Sequence, residues 1–215
     1  MDIVMLAAGT SSRMGAVNKM LLPYKDTTMV AHSCLMALKF LQQYSLATDK
    51  ACRLIVVTGY RRQSVEKALS PCKAFVGATQ AKLEMIIVKN PDYRKGQFTS
   101  AKVGVSQVRE DQSFFISLAD MPLLGPDHYA KLVPLLEGHA AVRPFYCPEG
   151  AEKKDRVPGH PVLLCTCLRN AILSQGDDCS VSRVLKQHDV LEVDFADPSW
   201  ALDIDVPESY ERLMH

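Results

Sequence analysis

The sequence predicts an α/β protein built as three layers, a doubly wound, mostly parallel sheet between two sets of helices. Two observations predict it. Short apolar runs recur at residues 3–6, 54–57, 85–88 and 114–118, and each is continuous rather than alternating, the pattern of strands covered on both faces. Helix-like stretches separate most of these runs, and strands joined through helices pair in parallel. Ligands of such sheets sit at the carboxyl ends of the strands, so the residues after each apolar run are where chemistry is expected.

Residues 3–7 open the chain as a strand and empty into Ala8-Gly9-Thr10-Ser11-Ser12, with Arg13, Gly15 and Lys19 beyond. Asp26-Thr27-Thr28 can cap a helix to about residue 44, because Val30, Cys34, Leu38 and Leu41 recur at helical spacing. A strand over 54–57 closes in Thr58-Gly59, residues 61–69 read as helix, and residues 71–83 read as a loop on the strength of Gly77 and Thr79. The next strand, 85–88, ends in the turn signal Asn90-Pro91-Asp92. Gly96-Gln97-Phe98-Thr99-Ser100 opens a helix to 108, the strand 114–118 ends in Ala119-Asp120-Met121-Pro122, and a helix over 126–136 starts on Pro126. Strands are then expected at 141–146, 162–165 and 190–195, helices at 168–174 and 181–187, and a terminal helix after Leu202-Asp203-Ile204-Asp205-Val206-Pro207. The charged excursion 149–158, with Lys153-Lys154-Asp155-Arg156, reads as a solvated loop that is also able to meet an anionic substrate. No repeat or low-complexity segment interrupts residues 1–215, which are read as one domain.

Composition narrows the function. Twenty-five Lys and Arg against 24 Asp and Glu leave a formal net charge of +1, so no global field recruits nucleic acid or an anionic membrane. There is neither a basic leader before a cleavable apolar run nor an apolar stretch of membrane-spanning length, and a cytoplasmic protein is expected. Seven cysteines without a C-x-x-C suit reduced thiols. Cys165-Thr166-Cys167 offers a soft-metal pair, but its place after Val162-Leu163-Leu164 favours two buried small hydrophobes.

A triphosphate needs backbone donors that approach closely, which small residues allow, and compensating cations; residues 7–12 supply the first, Arg13 and Lys19 the second. An ordinary Gly/Ser turn is the competing reading. The spacing from Gly9 to Gly15 excludes a P-loop, and no Gly-x-Gly-x-x-Gly is present for a dinucleotide. Asp120, at the end of an uncharged strand, is placed to hold Mg²⁺ across substrate phosphates or else to cap a turn. Asp203 and Asp205, at alternate positions, project to one side of an extended segment, and one of them can complete a metal site; Asp205 can equally cap the last helix.

Together, Leu6-Ala7-Ala8-Gly9-x-Ser11-x-Arg13-Met14-Gly15 with Lys19 and Leu21-Leu22-Pro23, Gly96-Gln97-Phe98-Thr99-Ser100, Leu118-Ala119-Asp120-Met121-Pro122, Gly159-His160-Pro161-Val162 and Asp203-Ile204-Asp205-Val206-Pro207 resemble the MocA-like nucleotidyltransferases of molybdenum cofactor biosynthesis. The resemblance runs nearly end to end and implies a Rossmann-like nucleotidyltransferase fold, its N-terminal half binding nucleotide and its C-terminal half the acceptor. It assigns Leu6, Ala7, Ala8, Gly9, Thr10, Ser11, Ser12, Arg13, Lys19 and Ser100 to the nucleotide and Asp120 with Asp205, or less readily Asp203, to Mg²⁺. Arg13, Lys19 and Asp120 are the implied catalytic residues. Related guanylyltransferases read Leu-Ala-Gly-Gly where this chain has Ala8, which by resemblance favours CTP over GTP. The implied reaction is transfer of CMP to the terminal phosphate of molybdopterin, with a molybdenum hydroxylase apoenzyme as a partner for the product. His160 either touches the acceptor or orders its loop. A related transferase that uses GTP or a sugar-phosphate acceptor, and a non-catalytic cofactor chaperone for molybdenum hydroxylases, are the alternatives; retained Lys19 and Asp120 argue for turnover. Asp26 stands where relatives often have Gly, and residues 72–83 match no family motif.

Overall fold

The structure, a computed structural model, describes residues 1–11 and 17–214. Ser12 and Arg13, both expected at the phosphates, lie outside the described residues.

The expected three-layer α/β architecture is present. Strands β1 (Asp2–Ala7), β4 (Cys52–Thr58), β5 (Leu83–Lys89) and β6 (Phe114–Leu118) run parallel, with β1 between β4 and β6. The sheet continues from β6 through β9 (Val162–Leu164) to β7 (Ala141–Tyr146) and β10 (Val190–Phe195). Within this sheet, among the described residues, only β9 and the short β8 (Val157–Pro158) run against the other strands. A two-stranded hairpin, β2 (Pro23–Tyr24) with β3 (Thr27–Thr28), precedes the first helix. No described helix is long and apolar enough to cross a membrane.

The apolar runs are continuous because the two faces of the sheet bury different residues of the same strands. Ile3, Met5, Leu54, Val56 and Phe115 face α1 (Met29–Thr48), α3 (Ser70–Ala78) and α5 (Pro126–Leu132). Their neighbours Val4, Leu6, Ile55, Val57, Phe114 and Ile116 face α4 (Gln97–Ser106), α6 (Cys167–Leu173) and α7 (Val181–Leu185). Helix α4 lies close on β1: a Cβ at Gly104 would stand 2.3 Å from Val4 Cγ1, so only glycine permits this approach. It delivers the amino end of α4 to the carboxyl end of β1.

Helix α1 carries Val30, Cys34, Leu38 and Leu41 inward as its spacing predicts. Residues 71–83 are not a loop. Ser70–Ala78 is helix α3, following α2 (Arg62–Ala68) with Pro71 in its first turn. Its periodicity is weak because it is short and buries chiefly Cys72 against α1, so tertiary contact rather than pattern makes it helical. The helix over 126–136 ends as α-helix at Leu132 and continues as a 3₁₀ turn, Val133–Leu136, because Pro134 removes a helical donor. The cysteine expectation is also corrected. Cys165 and Cys167 form a disulfide, with Cα atoms 5.4 Å apart where β9 turns into α6, a separation ordinary for such a bond. Cys167 is exposed rather than buried, whereas Cys34, Cys52 and Cys72 are buried free thiols.

Candidate active site

The carboxyl ends of β1 and β6 open into a cleft of about 380 Å³. Its walls include Leu6 from β1, Ala8, Gly9, Thr10 and Ser11 from the first loop, Ser100 from α4, and Lys19, Asp120 and Asp205. Those expected residues are therefore brought together from four separate stretches of chain. Ala7 differs: it is 1 % exposed and packs into the core on the other face of β1, because alternate strand residues point to opposite faces.

The first loop is closed by its own side chains. Ser11, in the left-handed region at φ 55°, accepts a hydrogen bond from the Lys19 backbone N–H at 3.1 Å on its Oγ. Asn18 Oδ1 accepts from the Met20 N–H at 3.0 Å and caps the 3₁₀ turn Lys19–Leu21. These contacts set the start of the Lys19 side chain, which is only 8 % exposed.

The ammonium of Lys19 lies 2.5 Å from Asp120 Oδ2 and also pairs with Asp205 Oδ1. Burial opposes its charge, but the two carboxylates outweigh burial and hold its pKa above the ordinary lysine value. The pairing rests on backbone geometry: the Ile204 N–H donates to the Asp120 carbonyl at 3.0 Å, and Ile204 itself is fully buried. With Ile204 turned inward, Asp203 and Asp205 turn toward Asp120, and one oxygen from each of the three lies within 4.8 Å of the others. Asp203 has a raised pKa, from burial first and then from the charges of Asp205 and Asp120. A set of clustered carboxylate oxygens fits a hard divalent cation, which would relieve the part of the Asp203 shift that comes from the charges of Asp205 and Asp120.

The cleft also holds Gly96 and Gln97, which lie in the 96–100 motif without an assigned role, and Tyr93 and Arg94, which motif reasoning missed. Tyr93, Arg94, Gly96 and Gln97 line it beside Ala8 and Ser100. Gly59, at the end of β4, makes their approach possible: a Cβ there would lie 2.8 Å from Tyr93 Cβ and 2.9 Å from Ala8 Cβ. Buried Asn90 donates to Ser100 Oγ at 2.8 Å and to Thr99 Oγ1 at 2.9 Å. The Ser100 hydroxyl thereby keeps its own proton for donation. Asn90 reads in sequence as part of a turn; its positioning role follows from fold alone.

A second cavity, of about 260 Å³, shares Leu6, Gly96 and Gln97 with the first and contains His160 and Arg143. The two spaces are thus neighbours across one ridge. His160 Nδ1 sits 3.3 Å from the Ile116 carbonyl oxygen, and burial lowers its pKa to about 4. It is neutral near pH 7 and brings no cation to the cavity. Of the charged excursion, Arg156 pairs with Glu192 and Asp194 and lies 4.1 Å from the Phe145 ring centroid, so its charge is answered within the protein.

Neutral histidines give a pH signature. Burial lowers the pKa of His32, like that of His160, to about 4, below the ordinary value near 6.5. Between those values the unfolded chain binds more protons, so stability rises with pH there and is lost as pH falls from about 6.5 toward 4. Thermal unfolding is expected to show this decline, and the double variant His32→Gln/His160→Gln to flatten it by roughly 2 kcal/mol or more. An unchanged acid limb would show that neither ring is held neutral.

Comparison with known proteins agrees with this geometry. The family described as MobA-like NTP transferase domain matches residues 3–192. Molybdenum cofactor cytidylyltransferase of Escherichia coli (strain K12) is 31% identical over 210 residues, covering 97% of this chain and 93% of that protein. Nicotine blue oxidoreductase of Paenarthrobacter nicotinovorans is 27% identical over 217 residues, covering 98% and 95%. Among solved structures, Rv0371c from Mycobacterium tuberculosis H37Rv shares the fold, with a TM-score of 0.71 at 23% identity over 99% of this chain and 95% of that one. A complex of that protein with manganese gives a TM-score of 0.68 at 20% identity, covering 99% and 96%. A match that begins within the first strand and ends within β10, together with a near-full-length relative above 30% identity, makes this chain a nucleotidyltransferase and a member of the MobA-like NTP transferase domain family.

Proposed function

We propose that the protein transfers CMP from CTP to the terminal phosphate of molybdopterin and releases pyrophosphate, with Mg²⁺ as the divalent cation, in the cytoplasm. The observation that carries this reading is the meeting of Lys19 with Asp120, Asp203 and Asp205 directly beside the small-residue loop. One element can cradle a triphosphate and the other can neutralise it, in a single cleft. The cytidylyltransferase relative supports the cytosine nucleotide and the cofactor acceptor, and the manganese complex of Rv0371c supports a divalent cation. A molybdenum hydroxylase apoenzyme is the proposed recipient of the product.

In this reading the N–H groups of residues 8–11 hold phosphate oxygens, with Arg13 and Lys19 adding charge. Ser100 and Ala8 contact the nucleoside end. Mg²⁺ bound by Asp120, Asp205 and Asp203 supplies charge neutralisation at the phosphates. An oxygen of the acceptor phosphate bonds to the α-phosphorus as the bond to the departing pyrophosphate oxygen breaks in line. A phosphate monoester is already anionic near neutral pH, so no enzyme base is required. That suits a second cavity whose histidine is neutral. The chain's contribution is alignment and fixed charge.

The test is pyrophosphate release with molybdopterin and Mg²⁺, comparing CTP, GTP and ATP. CTP is expected to be preferred, and Ala8→Gly to move the CTP:GTP ratio of kcat/KM at least about tenfold toward GTP, on the scale of a small pocket contact. Preference of the wild type for GTP, or release with none of the three, overturns the proposal.

A further inference from the structure

Although its guanidinium lies 5.6 Å from the Phe145 ring centroid, Arg143 forms no salt bridge among the described residues. It stands on β7 opposite Glu192 of β10 in the strand register, where a cross-strand ion pair is expected. Glu192 instead pairs with Arg156, as does Asp194. Among the described residues, Arg143 donates one hydrogen bond, from Nη1 to Ser182 Oγ at 3.1 Å, and its Nε is buried with no partner. Burial pushes its pKa down, and the charge of Glu192 only partly opposes the effect. Holding a guanidinium this way costs stability, and the side chain borders the second cavity.

That cavity joins the catalytic cleft at Leu6, Gly96 and Gln97, yet its Arg143 lies outside the cleft that holds Lys19 and the aspartates. Arg143 lines the second space and not the cleft of the aspartates, so it faces a part of the substrate other than the group that reacts there. Phe98, Val162 and Leu185 give this space apolar walls; Arg143 and Ser182 give it donors, and Asp177 and Asp178 also border it, the former paired with Lys102. Apolar faces with such donors suit a flat heterocycle bearing carbonyl or deprotonated ring oxygens.

Resting on the transferase reading above, we infer that Arg143 is the acceptor anchor: its guanidinium binds the oxygen-bearing edge of the acceptor's ring system, away from the reacting phosphate. The residue then governs which acceptor is used and leaves the nucleotide untouched.

The experiment compares the wild type with Arg143→Met, Arg143→Lys and, as a paired-arginine control, Arg156→Met. Molybdopterin binding to nucleotide-free protein is followed by fluorescence, and transfer from CTP by pyrophosphate release. Arg143→Met is expected to weaken molybdopterin binding and raise its KM about ten- to hundredfold, with the KM for CTP and kcat within about twofold. Arg143→Lys is expected to recover part of the loss, because it keeps the charge and loses the fork. Arg143→Met is also expected to melt no lower than wild type, since it removes a costly buried charge, whereas Arg156→Met is expected to leave acceptor KM unchanged. An acceptor KM within twofold of wild type in Arg143→Met, or a CTP KM that rises with it, overturns the inference. If wild type binds molybdopterin but transfers nothing, the transferase reading fails while the binding arm still decides the role of Arg143. Wild type that binds no molybdopterin overturns both.

Discussion

Asp120→Asn is expected to lower pyrophosphate release by at least about 10³-fold, while the protein stays folded. Asp120 is the most enclosed carboxylate of the pairs made by Lys19, its side chain 13 % exposed against 34 % for Asp205. A charge in a water-poor site acts far more strongly than one near solvent, so the loss at Asp120 is expected to exceed that at Asp205→Asn by tenfold or more. The contact that aligns Ile204 with this turn uses the backbone carbonyl of residue 120, which asparagine retains. Asp120→Asn also removes one of the two carboxylate partners of the nearly buried Lys19 ammonium, so a fall in melting temperature is expected; a structural explanation of the lost turnover would require unfolding at the assay temperature. Steady-state pyrophosphate release, Mn²⁺ titration and thermal melting on the same preparations separate the two. Turnover within tenfold of wild type would remove Asp120 from the centre of the chemistry.

This ranking of the aspartates was open to sequence reasoning only in part. Asp120 is legible because a lone carboxylate after an uncharged buried strand must sit at a carboxyl end of the sheet. Asp203 and Asp205 are legible as a pair through their alternation, and buried Ile204 between them is what makes the alternation real. The long strands are legible for a similar reason: strands buried on both faces are mostly apolar, and buried Asp2, Thr58 and Ser117 are each hydrogen-bonded. The exceptions depend on contacts remote in sequence. Helix α3 is too short and too poor in pattern to declare itself, and exists because α1 offers Cys72 a buried seat. Tyr93 and Arg94 become cleft residues because Gly59 has no side chain to exclude Tyr93. The disulfide of Cys165 and Cys167 depends on a turn between β9 and α6 that thiol composition cannot disclose.

Lys19 shows the same limit with a functional consequence. Its expected partners are phosphates, yet its ammonium occupies the ground between Asp120 and Asp205, the latter 186 residues away in the chain. On the proposed function, the cation of the side chain thus stands where the divalent cation would enter. Metal without nucleotide has to displace Lys19 and leave a nearly buried ammonium without its partners, at a cost of kilocalories. A triphosphate arriving with the metal gives Lys19 a new anion and lifts that cost. Binding of metal and nucleotide is therefore expected to be strongly cooperative in the wild type, and coupling of this kind is reciprocal.

Lys19→Met breaks the coupling in a direction opposite to its effect on catalysis. Turnover with CTP is expected to fall about 10²- to 10³-fold, the scale for loss of one fixed charge at a developing anion. Metal affinity in the absence of nucleotide is expected instead to rise by tenfold or more, because the carboxylates lose their internal competitor. Their mutual repulsion, left uncompensated, is expected to lower the melting temperature of the metal-free variant and to make it more responsive to added metal than wild type. Mn²⁺ titration monitored by paramagnetic resonance, beside thermal melts with and without chelator, reads both effects. A Lys19→Met protein that binds Mn²⁺ no more tightly than wild type would show that the ammonium does not hold the metal's place. A lysine that served only to grip phosphate would lose turnover on replacement and leave nucleotide-free metal binding as it was; one that stands in for the metal must change both.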